Sequence, residues 1–275
     1  MRHIIVDSGS SIKPEEAKAL GLDVLPIRIN IGGREYSDGV DIDSSSLYKL
    51  MEETKQFPKT ALPRLDLAEE LVKGYVEKGD EVLILPISSA LSGTYSSLCS
   101  LLSPYKGVKV FDTKQAAGGI RILALEALKH ADMDLDSLCA HLEQLRRRIS
   151  LISLPETLDY LLKGGRLKKA AWMLGTLLRI LPVISLGKEG EVISSAKVRG
   201  LHNGIKYLSE KPIEEGIDTS YPIVASYTKS RENLDKVMAL LKEKGIVTDC
   251  YDDLTATLAA HWGPNAFGLF YVKKA

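Results

Sequence analysis

The first half of the chain alternates short apolar runs with segments whose apolar residues recur at helical spacing. Apolar runs at 3–6, 81–85 and 107–111 predict buried strands. Helical spacing over 65–76 predicts a helix between them, and helical spacing over 116–131 and 135–147 predicts two helices after them. Alternation of this kind is typical of a parallel sheet with helices on both faces, so we expect an α/β N-terminal domain.

Shorter patterns within this half refine the prediction. A glycine pair, Gly32-Gly33, separates the partly alternating run 22–31 from its return and predicts a hairpin. Asp43 precedes three serines and is expected to cap a helix that ends near Thr54. Segment 57–63 contains two prolines, which favour extended backbone before them.

The second half has a different pattern, with a hairpin and fewer alternations. An apolar run at 149–154 is followed by Pro155, where we place a domain boundary. The remaining predicted elements are helices at 157–162, 167–179, 199–209 and 232–244, and strands at 181–186, 191–198, 223–227, 248–251 and 267–272. The prediction is therefore an N-terminal α/β domain over 1–155 and a C-terminal α+β domain over 156–275.

Polar clusters follow three of the predicted N-terminal strands, at 7–11, 88–94 and 112–113. Ligands of parallel sheets bind at the carboxyl ends of strands, and free N–H groups at a helix start attract anions. The second cluster leads from a strand into a helix and supplies four short hydroxyls: Ser88, Ser89, Ser92 and Thr94. A serine there could equally act only as a helix cap, and the residues alone leave both interpretations open.

Three further features of the sequence bear on function. Gly164-Gly165-Arg166 lacks the spacing of a phosphate-binding loop, and Arg166 alone is better interpreted as a solvated charge than as a cleft residue. His261 stands before a Gly-Pro turn and could be structural or functional. A serine hydrolase using Ser92 and His261 is a second hypothesis, although GxSxG is absent and no acid is identified.

Composition narrows the classes of function. Thirty-six basic residues balance 36 acidic ones, which argues against a general binder of nucleic acid. No apolar run reaches the length of a membrane span, and the N-terminus lacks the apolar region of a signal peptide, so we expect a cytoplasmic protein. Three distant cysteines and scattered histidines give no indication of disulfides or of a metal site.

Collinear segments from residue 3 to residue 272 resemble the DegV family of bacterial fatty-acid-binding proteins, the FakB-type partners of fatty acid kinase. The more specific matches are LSGTY and the TLDYLLKGGRL run. The supporting matches are IIVDSGSSI, LPIRINIGGREYSDG, FPKTALP, ILPISSALSGTYSS, LGTLLRILPVISL, AKVRG and AHWGPNAFGLFYV.

The resemblance implies a non-catalytic protein that holds one long-chain fatty acid, such as palmitate, stearate or oleate, between two domains. It implies that Thr60, Ser92 and His261 bind the carboxylate, supported by the loop residues Ser88, Ser89, Gly93 and Thr94. Arg166 and Arg199 are implied near the headgroup or at the kinase-facing mouth. A fatty acid kinase is the implied partner, no cofactor or metal is implied, transient membrane contact is compatible with the role, and a monomer is the default.

Two positions depart from the family pattern. Ala61 replaces the serine expected beside Thr60, and Trp262 replaces the small hydroxyl residue expected after His261. They motivate a third hypothesis, an interaction module that has lost its lipid. The acyl chain would contact apolar residues that ordinary core packing explains equally well: Trp172, Met173, Leu177, Leu178 and Ile180.

Overall fold

The computed structural model describes residues 1–167, 180–248 and 250–275. Its strands are β1 (Arg2–Asp7), β2 (Leu22–Leu25), β3 (Arg28–Ile31), β4 (Arg34–Ser37), β5 (Lys59–Ala61), β6 (Glu81–Leu85), β7 (Val108–Val110), β8 (Ile149–Leu154), β9 (Ile180–Leu186), β10 (Val192–Arg199), β11 (Val224–Tyr227), β12 (Tyr251–Asp253) and β13 (Phe267–Val272). Its helices are α1 (Pro14–Leu20), α2 (Ser44–Thr54), α3 (Leu65–Val76), α4 (Thr94–Leu102), α5 (Gly118–Lys129), α6 (Leu135–Arg148), α7 (Asp159–Lys163), α8 (Gly200–Glu214), α9 (Glu232–Glu243) and α10 (Ala256–Trp262).

The N-terminal sheet is parallel, with strand order β2-β1-β6-β7. The apolar stretches of its two central strands, 4–6 in β1 and 82–85 in β6, are buried, because helices cover both faces of a parallel sheet. The alternation of strands and helices therefore predicted this half correctly.

The second large sheet has the order β10-β9-β8-β13-β11-β12 and is antiparallel except for the β11–β12 pair. Strand β8 precedes the predicted boundary at Pro155, yet it pairs along its whole length with β13. The mixed α/β class is confirmed. The two-domain division at 155 stays a prediction, and the sheet pairing assigns β8 to the C-terminal sheet.

A small sheet, β4-β3-β5, carries the predicted Gly32-Gly33 hairpin. Helices α2 and α10 pack on it, so an element from the end of the chain contacts the first sixty residues. Asp43 caps α2 as predicted, accepting a hydrogen bond from Ser46 N–H.

Helix α5 joins the two large sheets. It is buried along most of its length and contacts β1 and β6 of one sheet and β8, β11 and β13 of the other. One continuous apolar cluster therefore includes residues from both halves of the chain. Among the helices that the structure describes, none is both long and apolar enough to cross a lipid bilayer.

Some predicted elements fall elsewhere. Strand β12 starts at Tyr251, not at Thr248, and the Thr248 hydroxyl instead donates to the Ile223 carbonyl and accepts from Cys250 N–H. His261 lies in the last turn of α10, just before the Gly-Pro turn. Ile180 begins β9. The predicted helix beyond Leu167 and four predicted chain-lining residues lie outside the described residues: Trp172, Met173, Leu177 and Leu178.

Candidate functional site

A cavity of about 210 Å³ lies between the first half of the chain and its C-terminal elements. Most of its wall is aliphatic, and the polar side chains are few. The described lining residues are Ile27, Thr60, Ala61, Leu62, Ile87, Leu91, Ser92, Gly93, Ala116, Leu161, Arg166, Val192, Thr257, Leu258, His261 and Trp262. We call Thr60, Ser92, Arg166 and His261 the polar end of this cavity.

Thr60 and His261 meet directly although 201 residues separate them. Thr60 lies in β5, His261 lies in α10, and the Thr60 Oγ1 is 3.0 Å from the His261 Nε2. Loss of hydration lowers the pKa of His261 to about 3, and the nearby Arg166 guanidinium adds to the effect. The imidazole is therefore neutral at pH 7.

The other ring nitrogen of His261, Nδ1, is buried and has no hydrogen-bond partner among the described residues. Buried N–H groups without partners are rarer than buried acceptors without partners, so the proton is assigned to Nε2. In that tautomer Nε2–H donates to the Thr60 oxygen. The hydroxyl proton of Thr60 is then available to another acceptor.

The Gly164-Gly165-Arg166 segment lies beside this histidine. A Cβ on Gly164 would lie 2.3 Å from the His261 Nδ1, so no side chain fits between them. Gly165 has φ +73°, a conformation that glycine adopts without strain. This turn follows α7 directly and directs Arg166 toward the cavity.

Arg166 is held by carbonyl groups and not by an acid. Its Nε donates to the Leu91 carbonyl at 3.1 Å and its Nη1 to the Gly164 carbonyl at 2.6 Å. Burial lowers the pKa of its guanidinium, and the described cavity lining includes no Asp or Glu. The site therefore contains a half-buried positive charge without a buried counter-charge in its wall.

Ser92 lines the cavity from the loop between β6 and α4. Its Oγ is 2.8 Å from the Thr94 Oγ1 and accepts a weak hydrogen bond from Thr94 N–H at 3.3 Å. Gly93 also lines the cavity, whereas Thr94 is buried behind Ser92. The structure thus allows both interpretations from the sequence, a helix-start contact and a hydroxyl that faces a ligand.

The remaining predicted residues lie outside the described lining. Ser88 is buried and its Oγ accepts from Ala90 N–H, while exposed Ser89 donates to Asp112 at 2.6 Å and so links the ends of β6 and β7. Arg199 is exposed at the end of β10. The structure brings together Thr60, Ser92, Arg166 and His261.

Two buried aspartates accept backbone hydrogen bonds near the cavity, and one of them supports the helix that carries His261. Asp38 accepts hydrogen bonds from Ala256 N–H at 2.9 Å and Thr257 N–H at 3.2 Å, the first two residues of α10. Asp7 accepts from Gly9 N–H and Ile87 N–H, both at 2.9 Å. Burial raises the pKa of Asp38, and it raises the pKa of Asp7 to about 7.

A third buried carboxyl, Asp252, accepts from the Ser11 hydroxyl at 2.8 Å and lies 3.7 Å from an Arg121 nitrogen. Burial raises its pKa to about 6. We call Asp7, Asp38 and Asp252 the acid network. Asp7 belonged to a predicted strand-end cluster, but Asp38 and Asp252 stand in sequence like ordinary turn residues, and only tertiary contacts distinguish them.

Trp262, one of the two departures from the family pattern, is a well-packed wall residue. It is 5% exposed, and its Nε1–H donates to the Ser153 Oγ at 2.8 Å. The larger side chain thus has its own polar partner in the second sheet. At the other departure, the Ala61 methyl group adds apolar surface to the cavity.

The arrangement differs from that of a hydrolase. The described hydrogen bonds join Ser92 to Thr94 and His261 to Thr60, and they do not join Ser92 to His261. Nothing described orients the second nitrogen of His261. A nucleophile needs a base within hydrogen-bond reach and an orienting group behind it, so this geometry does not support the hydrolase hypothesis.

A family model for DegV, described as an uncharacterised protein family, matches residues 1–274. A DegV domain-containing protein of Clostridium acetobutylicum is 32% identical over 278 residues, which cover 98% of each chain. These matches include all the elements that build the cavity.

Two solved structures are similar over nearly the whole chain. A DegV family protein from Thermus thermophilus, reported for its fatty acid binding, is 28% identical with a TM-score of 0.89 and 99% coverage of both chains. A fatty-acid-binding DegV family protein from Streptococcus agalactiae is 25% identical with a TM-score of 0.89, covering 100% of this chain and 99% of the other.

Proposed function

The chain belongs to the DegV family, and we propose that it binds one long-chain fatty acid with the carboxylate at the polar end of the cavity. The observation that carries this proposal is Arg166, a half-buried cation whose guanidinium is bonded to two carbonyls in a cavity wall without described acids. Similar proteins from Thermus thermophilus and Streptococcus agalactiae are described as fatty-acid-binding.

The polar end suits a carboxylate because it offers hydrogen-bond donors. A carboxylate without donors is costly to bury. Thr60 offers a hydroxyl proton if Nε2 of His261 donates to its oxygen, Ser92 offers a second hydroxyl, and Arg166 supplies the charge. Neutral His261 orients Thr60 in this arrangement.

The aliphatic wall suits the acyl chain. Removal of a methylene from water is worth about 0.8 kcal/mol, so the roughly fourteen methylenes of palmitate contribute about 11 kcal/mol before the costs of association. Ile87, Leu91 and Leu161 begin such a wall beside the polar end. The proposal covers palmitate, stearate or oleate and requires no cofactor.

The resemblance supports a further step, in which a fatty acid kinase phosphorylates the bound carboxylate. The γ-phosphoryl group of ATP would pass to a carboxylate oxygen, giving acyl phosphate and ADP, and this chain would carry the product to phospholipid synthesis. The chain itself would be a non-catalytic cytoplasmic carrier, a monomer that contacts the membrane only transiently. Exposed Arg199 would contact the kinase.

The test of fatty acid binding is native mass spectrometry of the purified protein, with identification of the extracted lipid, followed by titration with palmitate and with hexadecanol. We expect one bound fatty acid and a clear preference for palmitate over the alcohol. Protein that carries no lipid and takes up neither palmitate nor oleate would overturn the proposal.

The kinase step is tested separately with Arg199→Ala. Arg199 lies outside the described lining, so this variant should keep the palmitate affinity of the wild type and lose acyl-phosphate formation with the kinase. A parallel loss of both would instead assign Arg199 to the headgroup site.

A further inference from the structure

A second polar cluster lies at the far end of α5, outside the cavity lining. The Glu126 Oε1 is 3.2 Å from the His130 Nε2 and 2.9 Å from the His141 Nε2. The Glu126 side chain is only 7% exposed, whereas both histidines are about one-third exposed. Two imidazoles thus converge on one oxygen of a buried carboxylate, at a place that solvent can reach.

The spacing of these three atoms suits a metal ion. One ligand atom from each residue lies within 4.8 Å of the other two. In a tetrahedral zinc site with bonds of about 2.0–2.1 Å, neighbouring ligand atoms are about 3.3 Å apart. The two measured nitrogen–oxygen distances are already within about half an ångström of that value, so small side-chain rotations would complete the geometry.

The surrounding backbone holds the three residues in place. The Arg2 guanidinium donates to the His130 carbonyl at 3.4 Å and to the Met133 carbonyl at 2.5 Å, which fixes the turn after α5. Helix α6 buries Leu138 and Leu142, and this packing fixes His141 opposite α5. Preorganised ligands lower the entropic cost of metal binding.

We propose that Glu126, His130 and His141 form a binding site for zinc or a similar borderline divalent ion such as cobalt or nickel. Two imidazole nitrogens and one carboxylate oxygen favour this class over calcium and magnesium, which prefer oxygen ligands. Three protein ligands leave a coordination position open to water or to a small external ligand. The ion links the end of α5 to α6.

Metal binding requires an unprotonated Nε2 on each histidine, so in the metal-bound form each ring carries its proton on Nδ1. Lys129 is a cation beside the ligand atoms, in addition to Arg2 on the His130 carbonyl. Its ammonium lies 3.4 Å from the other carboxylate oxygen of Glu126, Oε2, and its side chain is 57% exposed. The lysine thus leaves Oε1 free for the metal, while its positive charge repels the metal ion and weakens metal binding.

The test measures zinc affinity of metal-free full-length protein by competition with a chromophoric chelator. Second-shell changes alone typically cost about 10- to 100-fold in metal affinity, so loss of a ligand in His141→Ala should cost at least that much. His202→Ala is the matched control, since His202 is exposed on α8 and away from the cluster, and it should leave the affinity unchanged.

Cobalt distinguishes this site from binding at cysteine. Bound cobalt should show visible bands of nitrogen and oxygen coordination without thiolate charge transfer. Cys139→Ser should leave that spectrum unchanged, although Cys139 is only two residues from His141. A thiolate spectrum that disappears in Cys139→Ser would overturn the proposal.

Lys129→Gln gives a test that does not depend on deleting a buried group. This variant removes the neighbouring positive charge and should tighten zinc binding severalfold. Equal zinc affinity in the wild type, His141→Ala and Lys129→Gln would overturn the proposal and leave Glu126 as an internally paired carboxylate.

Discussion

The acid network contacts the start of α10 through Asp38, whereas the polar end of the cavity includes His261 in the last turn of this helix, and both contain buried polar side chains. In the acid network the chain supplies both the buried carboxyl groups and the groups that donate hydrogen bonds to them or carry the opposite charge. Asp7 and Asp38 accept from backbone amides, and Asp252 faces Ser11 and Arg121. At the polar end the described residues supply donors and one positive charge, and the wall contains no described acid.

This difference distinguishes buried polar groups that stabilise the fold from buried polar groups that bind a ligand. Groups whose partners all come from the same chain stabilise its fold, because breaking one pair leaves the other group without its partner. An excess of donors around a half-buried cation is complementary to an anionic ligand. The comparison predicts that, near neutral pH, changes in the acid network chiefly alter stability, whereas changes at the polar end chiefly alter affinity.

The largest expected effect is on the pH dependence of stability. The pKa of Asp7 is about 7 in the folded protein against an ordinary 3.8, so the folded state keeps its proton longer than the unfolded state. That contribution is present below about pH 4 and lost as pH rises through about 7. Three pKa units correspond to a fall of about 4 kcal/mol in the free energy of unfolding. Asp7→Asn should abolish this fall, as measured by urea unfolding at a series of pH values.

His261 should act in the opposite direction. Its pKa is about 3 in the folded protein against an ordinary 6.5, so its contribution is present above pH 6.5 and lost as pH falls through about 3. His261→Gln should therefore flatten the loss of stability on the acid side. Identical pH profiles for Asp7→Asn and His261→Gln would contradict the distinction between the two regions.

Asp38→Ala should lower the free energy of unfolding by about 3 kcal/mol, because two amides at the start of α10 lose their acceptor. Displacement of α10 should also weaken palmitate binding through His261. Denaturant unfolding measures the first effect and titration measures the second. In the control Asp136→Ala, an exposed acid is removed, and the free energy should change by less than about 0.5 kcal/mol.

Arg166→Met should mainly weaken ligand binding and leave stability intact, the reverse of Asp38→Ala. Loss of the charged donor should weaken palmitate binding by about 2–3 kcal/mol, or roughly 30- to 150-fold. Stability should be unchanged or higher, since a poorly hydrated charge is removed from the wall. Hexadecanol, which carries no charge, should bind both proteins almost equally. A large loss of stability in Arg166→Met would show that the arginine is structural.

Periodicity predicted most of the fold because local patterns determine it. The buried strands β1 and β6 and the helix α6 follow from apolar spacing within each segment. Assignment of β8 to a sheet could not be predicted in this way, since its partner β13 lies more than a hundred residues later. Apolar spacing identifies a strand but not the strand with which it pairs.

The candidate site shows the same limit. A motif resemblance selected Thr60, Ser92, Arg166 and His261, and the structure brings them to one cavity. The solvated interpretation of Arg166 was wrong, because the Gly164-Gly165 turn directs its side chain inward to the Leu91 carbonyl. His130 and His141 meet only because α5 and α6 pack against each other, so their separation in sequence gave no indication of a cluster.

Ser92→Ala should have the smallest of these effects. It distinguishes two roles of this serine, a contact at the start of α4 and a hydrogen-bond donor to the bound carboxylate. The serine oxygen accepts from Thr94 N–H at only 3.3 Å, a weak contact whose loss should cost about 0.5 kcal/mol of stability. If Ser92 also donates to the bound carboxylate, palmitate affinity should fall by about 1–2 kcal/mol, or roughly 5- to 30-fold. Ser89→Ala is the matched control from the same loop, because its hydroxyl bonds to Asp112 outside the lining. Unchanged palmitate affinity in Ser92→Ala, together with a loss of stability, would make this serine a helix-start residue and leave Thr60 and Arg166 as the proposed carboxylate ligands.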